Sequence, residues 1–147
     1  MFILILYSTF FSPPTHDVSM AMFRLSAAEN GLDLQIDFDK ADYLYVSGLH
    51  ESTIDIQGFQ DYLDRTTSWI IDEKECTAIV RELSTERDHV QVKCFIETAS
   101  SKHTEFSIYN EFLNGIEDQS NVIILELHDQ SRGFRMHNDR TQITISY

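Results

Sequence analysis

The stretch Leu32-Asp33-Leu34-Gln35-Ile36-Asp37-Phe38-Asp39 sets the frame for the rest of the chain. Apolar and polar residues alternate through it without a break, so an extended backbone puts the apolar set on one face and the polar set on the other. A helix would scatter both sets around its circumference. The segment is therefore read as a half-buried strand whose polar face carries Asp33, Asp37 and Asp39.

Toward the C-terminus, Lys40-Ala41-Asp42 is read as a turn, with Tyr43 to Leu49 as the hairpin partner of the acidic strand. Toward the N-terminus, Val18, Met22, Leu25 and Ala28 recur at helical spacing. They predict a helix from near Thr15 that stops at Asn30-Gly31, a pair suited to a left-handed residue. Ser12-Pro13-Pro14 separates that helix from the apolar run Phe2 to Tyr7, read as a strand covered on both faces. This run lacks a positive leader and a small-residue cleavage site, and falls short of the ~20 apolar residues of a membrane span. A cytoplasmic protein is expected.

Further on, a helix is expected from Asp55 to about Thr66, with Ile56, Phe59 and Leu63 inward. Trp69-Ile70-Ile71 is a short buried piece. Asp72 and Glu75 have capping-box-like spacing, and Cys76, Ile79, Val80 and Leu83 then share a helical face; a strand over 77–83 is the competing reading. Val90, Val92, Cys94 and Ile96 alternate with polar neighbours as a strand. Phe106, Tyr109 and Leu113 fit a helix closed by Asn114-Gly115, whereas Phe106 and Ile108 alone fit a strand; the helix is preferred. Asn121 to Leu127, Gly133 to His137 and Thr141 to Tyr147 read as three closing strands.

No repeat, low-complexity tract or linker divides residues 1–147. The expectation is one α+β domain with a largely antiparallel mixed sheet and about three to four helices, opening strand-helix-strand-strand. Ile3, Ile5, Leu34, Ile36, Val92, Ile96, Ile124 and Leu125 are expected in its core.

Twenty-four acidic residues against eleven basic ones give a net charge of −13. Neutralising phosphates requires clustered Lys and Arg, so direct binding to nucleic acid or to an anionic membrane is disfavoured. A basic protein partner is the complementary expectation. Cys76 and Cys94 are too few for a disulfide scaffold, and Cys94, inside an alternating series, is expected as a buried free thiol.

The six histidines form no HxH, HExxH or zinc-spaced Cys/His pair, and no GxGxxG or Walker A loop is present. Neither a cofactor nor a metal is expected. The fragment Leu49-His50-Glu51-Ser52 resembles one half of the HxS/T signature of two-histidine phosphoesterases, where paired histidines act as acid and base. A second HxS or HxT does not occur, so a small hydrolase assembled by the fold around His50 is the alternative function.

The acidic charge is concentrated: residues 33–75 hold eleven Asp/Glu and three Lys/Arg. Same-face positions on a strand lie ~6.6–6.8 Å apart, about twice the ~3.4 Å phosphate repeat of one DNA strand. Carboxylates so spaced can imitate phosphates for a nucleic-acid-binding partner. Tyr43 and Tyr45, placed side by side on the neighbouring strand, would supply ring area at such an interface. The expected function is a small acidic binding or inhibitory protein of the immunity-protein, antitoxin or viral anti-defence type. It would act through Asp33, Asp37, Asp39, Asp42, Tyr43 and Tyr45, with no catalytic residue assigned.

Overall fold

The computed structural model describes residues 19–50, 53–99 and 102–147. The acidic strand is β2 (Gly31–Asp39), and its apolar set, Leu32, Leu34, Ile36 and Phe38, is buried as the alternation requires. Ahead of it the expected helix is instead a strand, β1 (Met20–Ala28), over the described part of that segment. Ala21, Phe23 and Leu25 are buried, while Met20, Met22, Arg24 and Ser26 face outward. Both periods were present in this stretch, and pairing with two neighbours selected the period of two. Asn30-Gly31 still reverses the chain, but as part of a tight hairpin: Asn30 adopts φ 61° and Ala28 pairs with Gly31. A Cβ on Gly31 would lie 2.2 Å from the Ile96 carbonyl oxygen, so strand pairing itself demands glycine there. The expected strand at residues 1–7, with Ile3 and Ile5, lies outside the described residues, as do Thr15 and Val18.

The expected hairpin partner Tyr43 to Leu49 is also corrected. Lys40–Ser47 form helix α1, started by Asp39, whose carboxylate accepts hydrogen bonds from the Ala41 and Asp42 backbone N–H groups. Gly48 ends it at φ 69°. Asp39 thus acts as an N-cap, which periodicity alone did not weigh. Helix α2 (Ile56–Thr66) falls where expected, capped by Asp55 on the Gly58 N–H. Phe59 and Leu63 point inward, but Ile56 is exposed and Tyr62 takes the third buried position.

The remaining described residues form strands and the turns and loops between them: β3 (Thr67–Ile71), β4 (Lys74–Cys76), β5 (Ala78–Glu86), β6 (His89–Glu97), β7 (Glu105–Asn110), β8 (Ser120–Leu127), β9 (Gln130–His137) and β10 (Gln142–Ser146). The helix preferred over Cys76 to Leu83 is therefore overturned in favour of the competing strand. Asp72 and Glu73, at φ 49° and 67°, form a tight turn between β3 and β4 rather than a helix cap. The preferred helix over 103–113 is overturned too, because Phe106 and Ile108 are buried in β7 while Phe112 and Leu113 fill the core from the following turn. Two helices stand among the described residues, against the three to four expected.

A six-stranded sheet runs β5-β6-β2-β1-β8-β9, and a four-stranded sheet runs β10-β7-β3-β4. Among the described residues every pairing of these strands is antiparallel except β1 with β8. The inner face of the larger sheet packs against the smaller one through Phe23 and Trp69. It meets α2 through Phe38 and Phe59, whose rings stack at 5.5 Å. Gln60 ties α2 to β5 by accepting from the Val80 N–H and donating to the Ala78 carbonyl. Leu34, Ile36, Val92, Ile96 and Leu125 are buried as expected, and so is Cys94. Ile124 is only partly covered, because its neighbour Leu125 takes the inward position.

Candidate functional site

Strand register assembles an acidic cleft on the outer side of the large sheet. β2 pairs with β6 so that Asp37 lies opposite Gln91 and Asp39 opposite His89. β6 pairs with β5 so that Glu86 lies opposite His89, and Arg87-Asp88 closes the hairpin between them. On the other flank Met22 of β1 lies opposite Asp37. The result is an open cleft of ≈ 710 Å³ whose lining includes Asp37, Asp39, Asp42, Glu86 and Asp88 together with Met20 and Met22. Arg87 and His89 also line it. The Lys40 N–H donates to the Asp88 carbonyl at 2.7 Å, fastening the start of α1 to the β5–β6 turn.

The carboxylates differ in what holds them. Asp37 accepts from Gln35 at 2.9 Å and from Gln91 at 3.2 Å, with His89 Nε2 at 3.0 Å. Burial alone would raise its pKa, but hydrogen bonds from Gln35, Gln91 and His89 outweigh it and hold the group below its ordinary 3.8. Asp39 is occupied as the α1 cap yet remains exposed. Asp42 accepts from Ser19 Oγ at 2.5 Å, and the same hydroxyl contacts Gln119. Glu86 and Asp88 are exposed at the hairpin end. Five carboxylates around one concavity produce a field suited to a guanidinium or ammonium group, and the exposed Met20 and half-buried Met22 offer adaptable apolar contact beside it.

Of the residues singled out from sequence, the fold brings Asp37, Asp39 and Asp42 together. Asp33 lies on the same sheet face but lines a separate hollow with Arg24 and Lys93. Asp42, expected in the turn after the acidic strand, lies instead in the first turn of α1, and the carboxylates of the strand face end at Asp39. The tyrosine pair is corrected as well. On a helix, residues two apart point roughly 200° from each other. Tyr43 is accordingly buried against Phe38, Phe59 and Tyr62, while Tyr45 is 76 % exposed. Sequence reasoning missed Glu86, Asp88, His89 and the methionines. The cue was available: Glu86-Arg87-Asp88-His89 is a charged turn between two apolar alternations, but its place beside β2 follows only from the register.

His50 is exposed beyond α1, and Glu51 and Ser52 lie outside the described residues. Among the described residues no group of three or more His, Cys, Asp or Glu side chains is arranged to hold a metal ion. Nor is any helix there long and apolar enough to cross a membrane. No protein-family model matches the sequence, and no curated protein matches it.

Proposed function

We propose that this protein is an acidic binding protein that neutralises a basic macromolecular partner, as an immunity protein, antitoxin or anti-defence inhibitor does. The observation that supports this most is the cleft itself. Carboxylates from β2, α1 and the β5–β6 turn surround an exposed Met20 and a half-buried Met22 on a chain of net charge −13. Such a surface repels phosphates and anionic lipid headgroups, so the partner is a basic protein, and a nucleic-acid-binding protein supplies the densest cationic patch. Tyr45, exposed one helical turn beyond Asp42, extends the contact beyond the cleft and offers a ring to bury.

The test is a pull-down from the native host at low and high salt, followed by association kinetics with the recovered partner. Asp39→Asn, Asp42→Asn, Glu86→Gln and Asp88→Asn remove four charges with little change of shape. A variant carrying all four should associate more slowly and with a flatter salt dependence. If partner capture and biological effect survive all four changes, the acidic cleft is only a solvated surface and the reading fails.

A further inference from the structure

A smaller concavity of ≈ 290 Å³ has Asp72, Lys74, Cys76, Thr98 and His103 in its lining. His103, just before β7, is 3 % exposed. Its Nδ1 lies 3.5 Å from Asp72 Oδ2, and its Nε2 lies 3.3 Å from Thr98 Oγ1 at the end of β6. Nδ1 is buried without a hydrogen-bond partner, a costly state for a polar atom, and the Asp72 carboxylate is the charge that faces it. Its neighbours are firmly placed. Asp72 Oδ1 accepts from the Thr104 N–H at 2.9 Å, the Thr104 hydroxyl at 3.0 Å and the Glu105 N–H at 3.0 Å, leaving Oδ2 toward the imidazole. The His103 carbonyl accepts from His128 Nε2 at 2.6 Å, which fixes the backbone behind the ring. Burial pushes Asp72 up, but the hydrogen bonds from the Thr104 N–H and hydroxyl and the Glu105 N–H outweigh it and hold the carboxyl below its ordinary value.

Carboxylate, imidazole and hydroxyl in that order form a relay that activates the hydroxyl, recognised by geometry and role rather than by sequence position. Spacings a few tenths of an ångström beyond a hydrogen bond are usual before a substrate binds. We propose that this is a second site, distinct from the acidic cleft, where Thr98 takes up a small acyl group from an activated ester. His103 is the base and Asp72 the positioning residue. As Oγ1 bonds to the ester carbonyl carbon, its proton passes to Nε2. When the ester C–O bond breaks, that proton leaves with the departing alcohol, and the acyl group remains on Thr98 as an ester. No electrons are exchanged with an outside reagent. Water, deprotonated by the same Nε2, then hydrolyses the acyl group and restores the hydroxyl. Cys76 lines the same cavity, but burial, reinforced by the charge of Asp72, raises its thiol above its ordinary value and leaves it a poor nucleophile.

The test uses para-nitrophenyl acetate as the probe, with intact mass and peptide mapping on the full chain. In samples quenched with acid before water can remove the ester, one acetyl group should map to residue 98 in the wild type and in Thr98→Ser and be absent from Thr98→Val, with an unchanged circular dichroism spectrum. His103→Gln should slow this labelling at least ~100-fold. Asp72→Asn should alter its pH profile, which a merely structural role would leave in place. Acetylation confined to lysines and the amino terminus, or Thr98 labelling undiminished in a folded His103→Gln protein, overturns the proposal.

Discussion

Replacing Asp39 separates two tasks that this residue performs at once. Its carboxylate caps α1 through the Ala41 N–H at 2.8 Å and the Asp42 N–H at 3.2 Å, and it contributes charge to the cleft. Alanine removes both functions, whereas asparagine keeps a capping oxygen and removes only the charge. Losing a cap costs 0.5–2 kcal/mol in general; both bonds here are solvent-exposed, so about 1 kcal/mol is expected for Asp39→Ala. For a chain of this length that lowers Tm by about 3 °C. Asp39→Asn should stay close to wild type. The charge is worth less: across ~7 Å of water one charge contributes roughly 0.6 kcal/mol, about a threefold change in association rate at low salt. Urea denaturation followed by Trp69 fluorescence measures the first effect, and stopped-flow association with the captured partner measures the second. Equal stability of the alanine and asparagine variants refutes the capping argument. An Asp39→Asn protein that associates as fast as wild type at low salt refutes the steering argument.

Other perturbations probe other layers of the structure. Asp37, held below its ordinary 3.8 in the folded state, adds stability that is present above that value and is lost as pH falls through its lower folded pKa. Asp37→Asn should therefore flatten the acid limb of the urea midpoint between about pH 5 and pH 3, and an unchanged limb counts against the hydrogen-bond account. Phe59→Ala removes a fully buried ring stacked on Phe38 and should cost about 3–5 kcal/mol by equilibrium unfolding. Tyr45→Ala, at an exposed position, should change stability by less than ~0.5 kcal/mol while raising the partner's dissociation rate. Cys94, its thiol pushed up to about 12 by burial, should resist alkylation in the native protein and react only on unfolding, as mass spectrometry of iodoacetamide-treated samples will show.

Where a single local signal acted alone, the sequence was enough. Alternation through Leu32 to Phe38 and Val90 to Ile96 determined two adjacent central strands, because one buried face fixes the phase of every side chain. Asp55 and the apolar spacing of Phe59 and Leu63 determined α2, and the excess of carboxylates determined the character of the surface. Where two local signals competed, the sequence offered both and tertiary pairing chose. Met22, Leu25 and Ala28 fit a helix as well as a strand until β8 came to lie parallel beside the first two, with Met22 against Val122 and Leu25 against Leu125. Tyr43 and Tyr45 fit one strand face until Asp39 capped a helix and sent one ring into the core and the other into solvent. The sites depended most on the fold. Glu86 and Asp88 join Asp39 only through the register of β5, β6 and β2, and His103 meets Asp72 and Thr98 only where a turn of one sheet reaches a strand end of the other. Local sequence governs backbone preference and side-chain phase. Long-range contacts decide which side chains meet, because their free energy outweighs the few tenths of a kcal/mol that separate one local conformation from another.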